Sequence, residues 1–335
     1  RKVHKPLNHF WNYQLYILLF PKLIAGPIIR YHEISDQLTQ RPMNATQEMR
    51  LAGIYRFALG LAKKVLIANA MAAQADIIFK LPVAEMSTST AWIGAFAYTF
   101  QIYFDFSGYS DMAIGIGKML GFRFPENFNN PYISQSITEF WRRWHITLGS
   151  WMRNYLYIPL GGNRVASPIR LYLNLWLVFL FSGLWHGASW NFVIWGAYHG
   201  LFLVWERGYG LQLLQKIGKF PSILLSFLVV VVGWVFFRIE TFTQASQFAA
   251  KMFSFHFHNP LLKIDISFYF FLGLAIFFSF FAIVPSGQRF QEKIYTANLS
   301  AVGHGLMTIV TMLLLFISLS SITSSNFNPF IYFRF

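Results

Sequence analysis

The chain has 335 residues, 55% hydrophobic and 19% aromatic, with only 12% charged and a net charge of +14. A soluble globular domain carries about twice that charged fraction, so the composition excludes that class and indicates an all-α, polytopic membrane protein. Zero cysteines exclude disulfides, thiolate metal sites and palmitoylation. The excess of Lys and Arg is read as loop bias facing anionic headgroups, not as a nucleic-acid footprint.

The chain opens at Arg1 with RKVHKPLNHFWNY and shows no signal-peptide pattern. The expectation is a fragment whose first spans lie upstream, which leaves the parity of the topology open. The apolar stretch Phe10 to Ile29 is interrupted by Pro21, Gly26 and Pro27, and Leu51 to Ala73 carries Arg56, Lys63 and Lys64. Ala91 to Leu120 is long enough for a span and a half and contains Asp105 and Asp111. Broken or charged segments survive at membrane depth only when buried in protein or lining a wet cavity. The two aspartates would not share a helix face, and Ser107-Gly108 is expected to break the helix between them. Pairing with arginines of the basic stretch Phe140 to Arg164, or capping of broken helix ends, is favoured over catalysis for both. Gly117 and Gly121 offer a close helix contact.

Phe140 to Arg164, FWRRWHITLGSWMRNYLYIPLGGNR, reads as a basic, aromatic, amphipathic helix. Trp141, His145, Leu148, Met152 and Tyr155 fall on one face, and Pro159, Gly161 and Gly162 end it. It can lie on the headgroups as an interfacial helix. Alternatively it is a re-entrant element that presents His145 and the guanidinium forks of Arg142, Arg143 and Arg153 to a cytoplasmic cavity, where such forks suit phosphates.

Phe181 to Gly200, FSGLWHGASWNFVIWGAYHG, places His186 between Trp185 and Gly187 at the end of an apolar run. An ionisable residue at membrane depth is a functional candidate by default, and Gly187 leaves room beside it. His199, between Gly196 and Gly200, reads as a hydrogen-bonded packing histidine on a small-xxx-small helix face. A histidine with an unperturbed pKa of about 6.5 can accept a hydroxyl proton and return it to a leaving thiol.

Spans are expected at Leu171 to Leu184, Ser189 to Trp205, Ile223 to Phe237, Phe268 to Val284 and Leu306 to Ile322. The last three carry no assigned chemistry, and Lys251 to Ile266 is the most polar linker of the second half. Within a single domain over 1–335, residues 10–207 form a functional body and 208–335 a simpler helical remainder. No zinc or nucleotide motif occurs, and His256-x-His258 alone is weak grounds for a metal.

Four strings together resemble the membrane-bound O-acyltransferase family. They are LIAGPIIRYHEISDQL (Leu23 to Leu38), the run from Tyr103 to Arg164, SGLWHGASWNFVIWGAYHG (Ser182 to Gly200) and the closing NPFIYFRF (Asn328 to Phe335). The nearest branch resembles the membrane subunit of bacterial alginate O-acetylation. The resemblance implies a ring of helices, some broken or re-entrant, around a central tunnel. It maps the family's two hallmark histidines onto His145 and His186, with His186 the presumed catalytic one. Arg142, Arg143, Trp141, Trp185 and Asp105 are expected to bind substrate or donor. No permanently bound cofactor is implied. Acetyl-CoA is the implied donor, an SGNH-type periplasmic protein the implied partner, a secreted polysaccharide such as alginate the acceptor, and the bacterial inner membrane the location. Peptidoglycan O-acetylation and a non-catalytic transporter or scaffold are the rival readings.

Overall fold

The computed structural model describes residues 9–39, 46–257, 264–324 and 329–331, and their regular structure is helical. In chain order α1 spans Phe10–Leu18, α2 Tyr31–Thr39, α3 Gln47–Ala62, α4 Asn69–Phe79 and α5 Thr88–Met119. Two short helices follow, α6 (Ile137–Arg143) and α7 (Ile146–Met152), then α8 (Pro168–His186) and α9 (Trp190–Trp205). The remainder is α10 (Leu211–Ile217), α11 (Lys219–Arg238), α12 (Phe242–Met252), α13 (Ile266–Phe280), α14 (Pro285–Thr296) and α15 (Ala301–Ser324).

Among the described residues, α8, α11, α13 with its following turn to Ile283, and α15 are long and apolar enough to cross a bilayer. With α9 they coincide with the five expected spans. The opening stretch is broken as its prolines and glycines require: α1 ends at Leu18, and Phe20–Lys22 forms a separate 3-10 turn. The first eight residues, the linker residues 258–263 and most of the closing NPFIYFRF lie outside the described residues.

The chain packs as two compact units. The first comprises residues 1–66, 104–128 and 281–334. In it α3 and the second half of α5 approach at backbone contact. A Cβ on Gly60 would lie 2.6 Å from the Gly108 carbonyl oxygen, and one on Gly53 2.6 Å from that of Gly115. The expected break at Ser107-Gly108 does not occur, and α5 runs through it. Gly108 serves close approach inside a continuous helix, which lipid-embedded helices achieve with small residues. Nor do Gly117 and Gly121 make the helix contact: Gly117 makes room for the Phe124 ring, and Gly121, at φ +87°, ends α5.

Charges buried in this unit are paired with each other. Arg56, 2% exposed, donates to Asp111 at 2.8 and 3.0 Å and to Glu126, while Lys63 reaches Asp111 at 2.6 Å. Tyr295 of α14 lies under the Arg56 guanidinium, 4.1 Å from ring centroid to carbon. Lys64 pairs with Asp105 at 3.0 Å, and the Asp105 carboxylate also accepts from the Ile331 amide. The ion pairs of the aspartates among the described residues are therefore with cations of α3 and the π-helical turn that follows it, not with arginines of the Phe140 to Arg164 stretch.

The second unit comprises residues 67–103 and 129–280. Ile78, Ala91, Ala95, Val231, Val235, Phe248 and Met252 form an apolar core in it. Helices α8 and α9 make an antiparallel hairpin. Gly183 faces the Phe192 carbonyl, Gly196 the Phe179 carbonyl, and Gly200 the Trp176 side chain. The small-residue face expected around His199 is therefore a close helix contact.

Candidate functional site

The basic element is two helices rather than one. Helix α6 stops at Arg143, Trp144 is extended, and His145 is left-handed at φ 44°, ψ 52° before α7 resumes. That conformation costs a non-glycine residue roughly 1–2 kcal/mol. Burial of Trp144 offsets the cost: its indole packs on Phe140 and Trp234 at 5.6 and 4.8 Å between ring centroids. The corner is pinned by Asn129 N donating to the Arg143 carbonyl at 2.9 Å and Gly149 N to that of His145 at 3.0 Å. His145 consequently does not share a helix face with Trp141. Backbone strain of this kind clusters at functional sites.

His186 is the last residue of α8. Its ring meets Trp185, Trp195 and Phe237 edge-on, with centroids 5.0, 5.4 and 5.1 Å away. The space beside Gly187 is filled by Phe192, whose ring lies 2.7 Å from where a Cβ would be. His199 is fully buried against Trp141, Trp195 and Tyr198. It packs, as expected, but neither ring nitrogen has a hydrogen-bond partner among the described residues.

His145 and His186 line one cavity of about 570 Å³, a size typical of small-molecule sites, which run to roughly 300–1,000 Å³. Along α8 its wall is Leu175, Val178, Phe179, Ser182 and His186, a helical spacing that makes it a furrow along the helix. Arg142, Arg153 and Arg207 also line it, and no carboxylate does. None of these three enters an ion pair among the described residues. Arg207 follows the end of α9, and its neighbour Gly208 lies near the Tyr172 hydroxyl. From the level of Tyr172 to His186 is roughly 20 Å at 1.5 Å per residue. The cavity thus runs from the level of Arg207, past the apolar residues of α8, to His186.

Two of its arginines sit on helical irregularities. Arg153 and Tyr157 bound one π-helical turn, and Arg207 lies in another, Glu206–Gly210. Such turns are frequent at functional sites because they re-aim side chains.

Of the residues singled out from sequence, the cavity gathers His145, His186, Trp141 and Arg142. Trp185 lies beside both histidine rings, 6.4 Å from that of His145. Arg143 turns away to Glu139 and to the Asn129 carbonyl. Asp105 belongs to the other unit, with Lys64. Sequence reading missed Arg207, although a lone arginine closing an uncharged span is a visible signal. It also passed over Glu206, whose isolated carboxylate beside that arginine carried the same signal.

A family model described as the membrane-bound O-acyltransferase family matches residues 2–237. The chain is 51% identical over 244 residues to the probable alginate O-acetylase AlgI of Pseudomonas aeruginosa, covering 73% of this chain and 46% of that protein. It is 42% identical over 339 residues to the Pseudomonas putida protein of the same name, covering 97% and 69%. It is 45% identical over 243 residues to the peptidoglycan O-acetyltransferase of Helicobacter pylori, covering 71% and 46%. The chain spans about half the length of the first and last of these relatives.

Proposed function

The chain belongs to the membrane-bound O-acyltransferase family, and on that premise we propose that it moves an acetyl group from cytoplasmic acetyl-CoA towards a hydroxyl of a secreted polysaccharide. The supporting observation is one cavity lined by three guanidinium groups, Arg142, Arg153 and Arg207, and by both His186 and His145. Coenzyme A has the matching layout, phosphates joined to a thioester by a long, mostly apolar arm. Guanidinium forks suit the phosphates, and the furrow along α8 suits the arm.

In the transfer, neutral His186 takes the proton of a hydroxyl on the periplasmic partner that carries the group onward, as that hydroxyl oxygen bonds to the acetyl carbonyl carbon. The carbon–sulfur bond breaks, and His186 returns the proton to the departing thiolate. The products are the O-acetyl ester and free coenzyme A. His145, held at its strained corner, orients or polarises the donor carbonyl.

Alginate is the favoured acceptor, because relatives named for alginate O-acetylation match at 42–51% identity. The Helicobacter pylori relative supports peptidoglycan as a second reading. Location in the bacterial inner membrane follows from a cytoplasmic donor and an acceptor beyond the membrane. A long sugar chain needs an extended cleft with many convergent polar groups, which this cavity is too small and too cationic to supply. The reading therefore includes a periplasmic partner of the SGNH type that delivers the acetyl group.

The test is reconstitution in liposomes with acetyl-CoA on the face carrying the arginines and polysaccharide on the other. Acetylation is expected only with the partner present, and His186→Ala should lower it about 10²- to 10⁴-fold, the loss typical of a general base. Full activity of His186→Ala at equal protein level would reject the role of His186, and acetylation without a partner would reject the relay.

A further inference from the structure

Glu206 is buried, 2% exposed, and no cation pairs with it among the described residues. Its partners lie nearly seventy positions earlier, in the first turn of α6. Oε1 accepts from the Ile137 amide at 2.5 Å, and Oε2 from the Thr138 amide at 2.8 Å and the Thr138 hydroxyl at 2.6 Å. Ser136 Oγ accepts from the Glu139 amide at 3.0 Å, and the Phe140 amide donates to the Ser136 carbonyl. Every amide at the start of α6 is thereby satisfied, two of them by one distant carboxylate. A helix of seven residues has little stability of its own, so its placement depends on such external partners.

The helix that Glu206 holds carries Thr138, Trp141 and Arg142 into the cavity, and the residue after Glu206 is Arg207, which also lines it. One side chain therefore joins the two elements that supply Arg142 and Arg207. The His145 corner is held separately, through Asn129, Arg143 and Trp144.

The geometry points to Glu206 as a positioning residue that sets the spacing of the donor-binding arginines while leaving the histidine chemistry to other supports. This rests on the donor reading above. It gives a specific division of effects. Loss of the carboxylate loosens donor binding, and the chemical step is left nearly intact.

The experiment compares wild type, Glu206→Gln, Thr138→Val and Thr138→Ser as purified full chains. With the periplasmic partner and polysaccharide supplied, steady-state release of coenzyme A thiol from acetyl-CoA is measured, and amide hydrogen exchange over 137–143 is followed without donor. A glutamine leaves one acceptor where the carboxylate offered two. KM for acetyl-CoA is expected to rise about tenfold or more, the scale of losing a hydrogen bond to a charged group. kcat should stay within about threefold, since loss of uniform binding raises KM alone, and exchange at Ile137 and Thr138 should quicken. Thr138→Val should shift KM in the same direction by less, and Thr138→Ser should restore it. A fall in kcat at unchanged KM, or no change in either KM or exchange, overturns the assignment. If wild type releases no thiol, the donor reading fails, and the exchange arm alone decides whether Glu206 holds α6. If Glu206→Gln does not insert, the Val and Ser variants decide: a KM shift in Val that Ser abolishes upholds the clamp, and equal KM values overturn it.

Discussion

At the scale of single residues, the informative feature of His145 is its backbone as much as its imidazole. A left-handed residue after Trp144 aims the next helix, and the side chain reaches the cavity only because the corner exists. Glycine adopts that conformation without the steric cost. His145→Gly should therefore keep or slightly raise stability, by about 1 kcal/mol at most, while acetyl transfer falls. His145→Ala should lose activity and keep the strain. Thermal unfolding in detergent beside a transfer assay separates the two effects. A glycine variant with full activity would show that the corner matters and the imidazole does not.

At the scale of elements, apolar length was a dependable guide and local chemistry less so. The five expected spans match helices to within a few residues, because a run of Leu, Val, Phe and Trp admits little else in a bilayer. The continuity of α5 was not legible. Ser-Gly reads as a breaker when the partner helix is unknown, and Gly53 and Gly60 on that partner, seven positions apart like Gly108 and Gly115, were the missed signal. The corner at Trp144-His145 was hidden because the residues on both sides keep a helical apolar period, while the break depends on indole packing that sequence does not display. The partners of Asp105 and Asp111 were obscured for a related reason. Lys63 and Lys64 sit on a π-helical turn, which rotates them relative to ordinary helical spacing. The glycine contact makes a direct prediction. Gly60→Ala puts a methyl group against the Gly108 carbonyl and should cost about 1–3 kcal/mol, as overpacking does. Gly273 of α13 has nothing within 4 Å of a new Cβ, so Gly273→Ala should leave the unfolding midpoint nearly unchanged. Equal behaviour of the two variants would remove the argument for close packing of α3 on α5.

At the scale of the molecule, the cationic excess is placed rather than diffuse. Arg164 and Arg170 flank the start of α8 and Arg207 follows the end of α9, while residues 171–205 contain no Lys or Arg. The turn of this hairpin is instead aromatic, with Trp185 and Trp190 exposed. Short loops rich in Lys and Arg remain cytoplasmic, and tryptophan favours the interface. On the proposed reading the Arg207 end of the cavity is therefore expected to face the cytoplasm, where an acyl-CoA would be met. The chain has no cysteine of its own, so a single introduced thiol reports orientation without background. Asn163 is the suitable position, because it lines the cavity and, among the described residues, its side chain is held by the Tyr157 hydroxyl at 2.7 Å. An Asn163→Cys protein should resist a membrane-impermeant thiol reagent in intact spheroplasts and react once the cytoplasmic face is opened. Acetyl-CoA added beforehand should slow that reaction, while a nucleotide lacking the pantetheine arm protects less, since the arm and thioester add contacts along α8. Labelling in intact cells would reverse the orientation. Labelling from inside that acetyl-CoA leaves unchanged would keep the orientation and remove the cavity as the donor site.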